Sequence, residues 1–506
     1  MIGAVLLGCK QGRWVVVSAL IRIHALLFRG WPAAMGLGLS FGLVASAQAQ
    51  QITFSLFDAA DTPPQQAMAR IIANPGALCP ELVRRFNANQ IDPGSQQEDI
   101  LVRCRELVSD ADAGVNLDSV SDGLQAMAYE EVATQGTNAV ETSNNQLTNI
   151  RARLAALRGG AIGINLRRFA LYNQEQTFPG TLVASLSPDA AVASTAPMET
   201  PSLVKKLGIF ANGTLSIGDK DATSREAGFD FDSLGVTAGI DYRFTQNFIL
   251  GLAFGYMSTD VDLDMSGGSL DTTGYSVSLY GTYYIGNFYL DGVGGVGWND
   301  YDLDRTIHYA IRERNPDGSL TGEMVRVNQT AKGNTDGTWY TFGFSGGYDF
   351  QFGGLTVGPF GQINYTKVDI DGYQEEIDGT DPGFGLALDI DSQDVESLTS
   401  ALGAQISYAL STRIGVLLPQ MRFAWEHEFE NDSRTIRAHF VNDPTPDAQT
   451  QIQLVTDDPD RDFFNLGAGL SATFRGGVSA FVFYETLLGL DDVTVHNVAL
   501  GVRLEL

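Results

Sequence analysis

The run "LGVTAGIDYRFTQNFILGLAFGY", Leu234 to Tyr256, decides how this chain folds. In its first half Leu234, Val236, Ala238, Ile240, Tyr242 and Phe244 alternate with Gly235, Thr237, Gly239, Asp241 and Arg243. In its second half Phe248, Leu250, Leu252, Phe254 and Tyr256 alternate with Ile249, Gly251, Ala253 and Gly255. A period of two belongs to a β-strand, so the stretch reads as two strands folded about Thr245-Gln246-Asn247.

Working outward, the pattern recurs in twelve segments, centred near residues 212, 238, 254, 279, 294, 343, 361, 403, 421, 468, 482 and 500. Each runs roughly ten residues or more, the length of a tilted membrane-crossing strand. The connections alternate between short (245 to 247, 286 to 287, 352 to 354, 411 to 412, 475 to 477) and long (about 216 to 232, 258 to 272, 300 to 336, 369 to 394, 430 to 460). The chain closes on Val498, Leu500, Val502, Leu504 and Leu506, with Ala499, Gly501, Arg503 and Glu505 on the other face. We therefore expect a transmembrane antiparallel β-barrel of 12 strands over 204–506, its last strand closing against Leu207 to Gly218. A soluble β-sandwich would also alternate, but has no reason to sort its loops by length. Tyr242, Phe244, Phe248, Tyr256, Tyr283, Tyr365, Tyr408 and Phe474 stand near strand ends, where interfacial aromatic girdles lie.

Composition agrees. The 506 residues hold 56 Gly, 28 Phe and 17 Tyr against 32 Lys plus Arg, and the formal net charge of -28 excludes a nucleic-acid partner. Residues 1–49 read as a signal peptide, with Lys10, Arg13, Arg22 and Arg29 ahead of the apolar run Ala33 to Ala47 and cleavage expected near 47–50. A membrane anchor is the other reading, but that run is shorter than the ~20 residues a spanning helix needs.

Cleavage removes Cys9 and leaves Cys79 and Cys104, a disulfide candidate in an exported chain; two unpaired buried thiols are the alternative. Residues 50–120 read as a small helical region, in which a Cys79 to Cys104 bridge would contribute about 3 kcal/mol. Residues 121–159 read as an amphipathic linker or pore helix interrupted at Gly136, with a stripe of Leu147, Ile150, Leu154 and Leu157, and with Arg151, Arg153 and Arg158 near its end. Thr137 to Arg158 would span about 33 Å, enough to thread a barrel whose lumenal Gly235, Gly239, Gly251, Ala253, Gly255, Gly467 and Gly469 leave space. The alternative is a helix packed on its own domain outside the pore. An Ala/Pro/Ser-rich linker (160–203) leads to the barrel.

The five histidines are His24, His308, His427, His439 and His496, so the N-terminal region cannot hold a Ser-His-Asp triad or a His-bound zinc. His427 reads as a strand residue near the outer rim. The acidic run Asp369, Asp371, Glu375, Glu376, Asp378, Asp381, Asp389 and Asp391 lacks EF-hand spacing and reads as a solvated, self-repelling loop. No enzyme activity, cofactor or metal is expected.

The segments 235 to 263, "FAWEHEF" (423 to 429), "NLGAGLSATF" (465 to 474) and the closing strand resemble the translocator domain of bacterial autotransporters, the type V secretion proteins. "NNQLTNIRARLAALRG" (144 to 159) is similar to that family's linker helix. The resemblance implies a twelve-stranded outer-membrane barrel with a helix in the lumen, exporting or displaying its own N-terminal region. It implies outer-membrane lipids and lipopolysaccharide, the barrel-assembly machinery and periplasmic chaperones as partners. Some members cut their passenger at an Asn-Asn pair, where Asn144-Asn145 sits; two ordinary helix-surface asparagines are the other reading. The chain departs from the family in ending on Leu506 rather than Phe or Trp, in its long linker and in a small passenger region without β-helix repeats. A rival function is a non-secreting barrel, channel or structural, with a periplasmic or plugging helical domain.

Overall fold

Alternation in the sequence becomes twelve hydrogen-bonded strands in the computed structural model, which describes residues 55–158, 206–264, 267–474 and 478–505. The expected signal peptide and its cleavage site, the 160–203 linker, the 475 to 477 turn and Leu506 lie outside the described residues. The strands are β1 (Leu207–Lys220), β2 (Phe229–Arg243), β3 (Phe248–Leu263), β4 (Gly268–Ile285), β5 (Phe288–Arg314), β6 (Leu320–Tyr348), β7 (Leu355–Ile370), β8 (Gln393–Tyr408), β9 (Gly415–Glu428), β10 (Asp462–Phe474), β11 (Val478–Leu488) and β12 (Val493–Glu505). Each pairs antiparallel with its sequence neighbours, and β12 closes the cylinder on β1 with Leu500 opposite Gly213 and Val502 opposite Ala211. All twelve expected segment centres fall inside these strands.

The two faces sort as the alternation requires. Leu234, Val236, Ile240, Leu252, Phe254, Leu402, Leu500 and Val502 point outward to lipid, while Thr237, Asp241, Ile249 and Ala253 are buried in the lumen. Tyr256, Tyr275 and Trp298 sit side by side on β3, β4 and β5 as an outward aromatic row at the upper edge of the apolar band.

The long connections differ from expectation. Much of 216 to 232 and 258 to 272 is strand, and 300 to 336 is almost wholly strand, β5 and β6 running 27 and 29 residues. Above the membrane the alternation inverts. Tyr301, Leu303, Ile307, Tyr309 and Ile311 are buried on the inner face, and the outer face turns polar. Asp232, Asp260, Asp271 and Asp302 stand directly opposite one another on four adjacent strands. Water outside makes Asp the tolerated outer residue there, which gives these strands the composition of loops.

The inner face is covered by helices α1 (Pro63–Ala73), α2 (Leu78–Asn87), α3 (Gln96–Asp112) and α4 (Leu117–Met127), followed by the long α5 (Ala133–Arg158). Thr62 caps α1, exchanging hydrogen bonds with Gln65, and Ser95 caps α3 by accepting from the Glu98 amide. A Cys79 to Cys104 disulfide joins α2 to α3 with the Cα atoms 5.9 Å apart. The helical break falls at Ala128 to Val132, not at Gly136. There the Tyr129 hydroxyl, fully buried, donates to the Ile436 carbonyl at 2.9 Å, which anchors the bend. Gly136 lies within α5, where a Cβ would strike the Arg434 guanidinium. The cap thus runs through Val132, beyond the expected end at 120.

Cap and barrel share one hydrophobic core, in which Met68, Ile72, Leu101, Leu107 and Leu124 pack with Ile307, Tyr309, Ile311, Val327, Leu388, Ile436 and Leu454. The connections after β7 and β9 are ordered too: Tyr373–Gln374, Leu388–Ile390, Thr435–Phe440 and Ile452–Val455 form a second, four-stranded sheet. The expectation of a solvated, self-repelling loop is corrected in part: Asp371, Glu376, Asp378, Asp381 and Asp391 are exposed as expected, but parts of the segment pair into strands. Its Glu375 is 3% exposed and Leu386, Leu388 and Ile390 are core residues.

Candidate functional site: the helix-filled lumen

Helix α5, 26 residues long, descends the lumen from the cap to the tight-turn end. Its polar residues are matched down the wall. Gln135 accepts from Gln393 (3.0 Å), Asn138 donates to Thr272 (2.9 Å), Asn145 accepts from Ser216 (3.0 Å) and Gln146 from Thr237 (2.8 Å). Asn149 takes Thr214 on its side chain (2.7 Å) and Asn212 on its carbonyl (2.9 Å). Neutral bonds of this kind contribute about 1 kcal/mol each. They fix the helix's rotation and depth more than they add stability.

The strong contact lies lower. Arg153 is bidentate to Asp241 through Nε (2.7 Å) and Nη2 (2.9 Å), both side chains are 1% exposed, and the Tyr280 hydroxyl donates to the same carboxylate at 2.9 Å. The guanidinium also stacks over Phe210, 5.3 Å from its centroid. Leu147, Ile150, Leu154 and Leu157 form the expected stripe and bury against Phe210, Ile249, Ala253, Tyr280 and Val293. Of the lumenal glycines expected to leave space, Gly235 would bring a Cβ no closer than 3.6 Å to any neighbour, and the others, with Gly208, fall into two sets. A Cβ at Gly208 or Gly255 would strike Arg153 or Gln146 of α5, whereas at Gly239, Gly251, Gly467 and Gly469 it would strike the barrel's own Phe210, Tyr280 and Phe483. Only the first set makes room for the helix.

The filling is one-sided. The face of α5 carrying Thr137, Glu141, Asn144, Thr148 and Arg151 is less buried than the face carrying Asn138, Asn145, Gln146 and Asn149. Opposite it, Arg422, Glu426, Asn465 and Glu485 on β9 to β11 are only half-buried. The Asn144-Asn145 pair is split by this asymmetry: Asn144 is exposed on the open side, and Asn145 is held against β1.

At the outer end, Asp110 of α3 accepts from Arg312 (2.7 Å) and Arg314 (3.4 Å), and Asp99 accepts the amides of Gly383 (3.1 Å) and Gly385 (3.0 Å). Burial would raise Asp110, but hydrogen bonds from Arg312 and Asn116 outweigh it and hold the carboxyl below its ordinary range. Glu106 goes the other way, burial pushing it up to about 8 against the pull of Arg103. The connection between β9 and β10 is pinned across to the β1–β2 turn, where Lys220 meets Glu226 and, at 3.1 Å, Asp457, and Arg225 donates to the Thr456 carbonyl. His427 pairs with Asp462 at 2.8 Å on the rim. Among the described residues no group of three or more His, Cys, Asp or Glu could hold a metal ion.

A closed twelve-stranded barrel threaded by a helix from its N-terminal side is the arrangement the sequence resemblance implies, and the autotransporter β-domain family model matches residues 209–485. The chain belongs to the autotransporter family. Its barrel is an outer-membrane translocator domain, which places it in the bacterial outer membrane, and the outward apolar and aromatic bands are the surface such a barrel presents to lipid. Curated relatives include an uncharacterized protein in the trpE-trpG intergenic region of Pseudomonas putida, 27% identical over 232 residues, 44% of this chain and 35% of that protein. Another is esterase EstA of Pseudomonas aeruginosa, 24% identical over 223 residues, 43% of this chain and 31% of that protein. The match thus spans about a third of each of these relatives. Among solved structures, the translocator domain of NalP from Neisseria meningitidis is 17% identical with a TM-score of 0.44, covering 60% of this chain and 88% of that one. The β-domain of the Bordetella autotransporter BrkA is 16% identical with a TM-score of 0.40, covering 60% and 100%.

The sequence left the partners of the lumenal residues unread. Asp241 and Arg153 each carried a signal, an acid following the small lumenal residues Gly235, Thr237 and Gly239 and a cation on a helix long enough to thread that lumen.

Proposed function

We propose that this autotransporter barrel carries its own N-terminal segment, up to Val132, across the outer membrane and keeps it docked over the mouth through which it passed. The observation that supports this reading is the course of the chain: α5 occupies the lumen, and α1 to α4 lie at the end away from the tight turns. Tight turns mark the periplasmic side of such barrels. A non-secreting barrel with a periplasmic helical domain would put those helices at the opposite end. Retention follows from the shared core, since release would expose Ile307, Tyr309, Ile311 and Leu388 together with the cap's own apolar side chains. On this reading the barrel-assembly machinery and periplasmic chaperones handle the chain before insertion, and lipopolysaccharide surrounds the outer strands. The test is an epitope placed after Gln51, labelled on whole cells before and after outer-membrane permeabilisation. Labelling of intact cells is expected, and labelling that requires permeabilisation would sink export.

A further inference from the structure

At the bend between α4 and α5 the chain places two adjacent acids, Glu130 and Glu131, inside the contact between cap and barrel, each 7% exposed. Each buries one carboxylate oxygen with no hydrogen-bond partner among the described residues. The other oxygen of Glu130 accepts from the Gln125 amide on α4. Glu131 faces Arg305 of β5, Glu375 of the connection after β7, and Glu130 itself, with Gly267 of the β3–β4 turn against its side chain. Arg305 is already engaged, bidentate to Glu375 at 2.8 and 2.6 Å and donating to the Leu386 carbonyl. Tyr373 adds a buried hydroxyl beside Glu375 and bonds Gln135. The next cation, Arg434, packs against Gly136 further along α5 and has Glu226 as its neighbouring acid. Glu131 and Glu375 therefore share one committed guanidinium, and Glu130 adds a third buried carboxylate beside Glu131.

We propose that Glu130 and Glu131 form a proton-held latch: the docked cap keeps them neutral, and loss of their protons loosens the cap from the barrel mouth. Burial raises both groups; the Gln125 bond opposes it at Glu130, while at Glu131 the neighbouring Glu130 adds to it and Arg305 only partly offsets it. The N-terminus of α5 favours the charged forms, but a fraction of a charge does not outweigh the desolvation of two full ones.

The sign follows by linkage. With the cap detached, both acids titrate as ordinary glutamates, so the docked form binds more protons wherever its own values lie higher. Docking is strongest in acid, weakens as pH rises from the ordinary carboxylate range through neutrality, and levels off once both groups are ionised in the docked form. The latch requires the docked cap and not the route by which it arrived, so its failure would leave the export reading standing.

The test is amide hydrogen exchange on the full-length protein in detergent micelles at pH 5.5, 7 and 8.5, corrected for the intrinsic rate. Protection of α1 to α4 should fall at least about tenfold from pH 5.5 to 8.5, with Leu147 to Leu157 of α5 as the unchanged internal reference. The Glu130→Gln/Glu131→Gln variant should keep most of its acid-pH protection at pH 8.5, the remaining fall coming from Glu106, which burial at the same contact also holds up to about 8. Flat protection in the unaltered protein, or an equal fall in the variant, overturns the proposal. Should the double variant fail to dock, infrared difference spectra at pH 6.5 between the unaltered protein and Glu131→Gln decide the matter. A protonated carboxyl band lost in the variant supports the latch, and identical spectra overturn it.

Discussion

Removing Arg153 should loosen the lumenal helix far more than removing Arg153 and Asp241 together. Both side chains are 1% exposed, and the carboxylate is held by the guanidinium and by Tyr280. In Arg153→Ala the Asp241 charge stays buried with one hydroxyl donor. Breaking a buried pair by deleting one partner costs about 3–5 kcal/mol, which is between about a hundredfold and a few thousandfold in the equilibrium for leaving the lumen. Replacing both partners with apolar groups of similar volume, Arg153→Met with Asp241→Leu, removes the desolvation penalty along with the attraction and should come within about 1–2 kcal/mol of the original. Gly208 and Phe210 pack on the same guanidinium, so methionine's flexible chain suits the site better than a branched residue would. The assay is hydrogen exchange of the α5 amides in the reconstituted protein, compared across the two single variants and the double as a mutant cycle. A double variant as loose as Arg153→Ala, or an Arg153→Ala within about 1 kcal/mol of the original, would refute the claim that this buried pair seats the helix.

Leu402→Arg should cut barrel insertion, measured by heat-modifiable mobility, by an amount corresponding to about 2–4 kcal/mol. Gln405→Arg should be tolerated, because Leu402 is 60% exposed on the lipid face while Gln405 bonds Gln420 inside the lumen. Gly255→Leu should displace α5, because its side chain would occupy the place of Gln146, and trypsin should then cut α5 in the folded barrel; an intact helix would count against close packing there. A thiol-alkylating probe should label Cys79 and Cys104 only after reduction, and Cys79→Ser/Cys104→Ser should destabilise the cap by about 2–4 kcal/mol in urea unfolding.

Much of the barrel was legible because its information is local. Which residues meet lipid follows from a two-residue period, and each strand declares it without knowledge of the others. The stripe Leu147, Ile150, Leu154 and Leu157 was legible for the same reason at helical period. The region between Asp300 and Asp336 misled because polarity is an ambiguous sign. An acidic outer face marks a loop in a strand that should meet lipid, but only a waterward face in one that has left the membrane. Glu375 was placed in a solvated loop because nothing within its own segment shows the arginine that holds it.

Local patterning along the chain was enough for the number of strands, their facing and closure, the helical nature of the N-terminal region and an amphipathic helix long enough to thread the pore. Long-range packing alone makes α1 to α4 a cap in one core with the extended β5 and β6, and leans the helix on one wall of the lumen. It also chose the pairs that secure both arrangements. Arg153 and Asp241 are 88 residues apart, Asp110 and Arg312 are 202 apart, and Arg305 and Glu375 are 70 apart. Periodicity reports the environment on either side of a chain, lipid, water or core. A buried ion pair depends on where two distant segments come to rest, and no pattern within either segment encodes that.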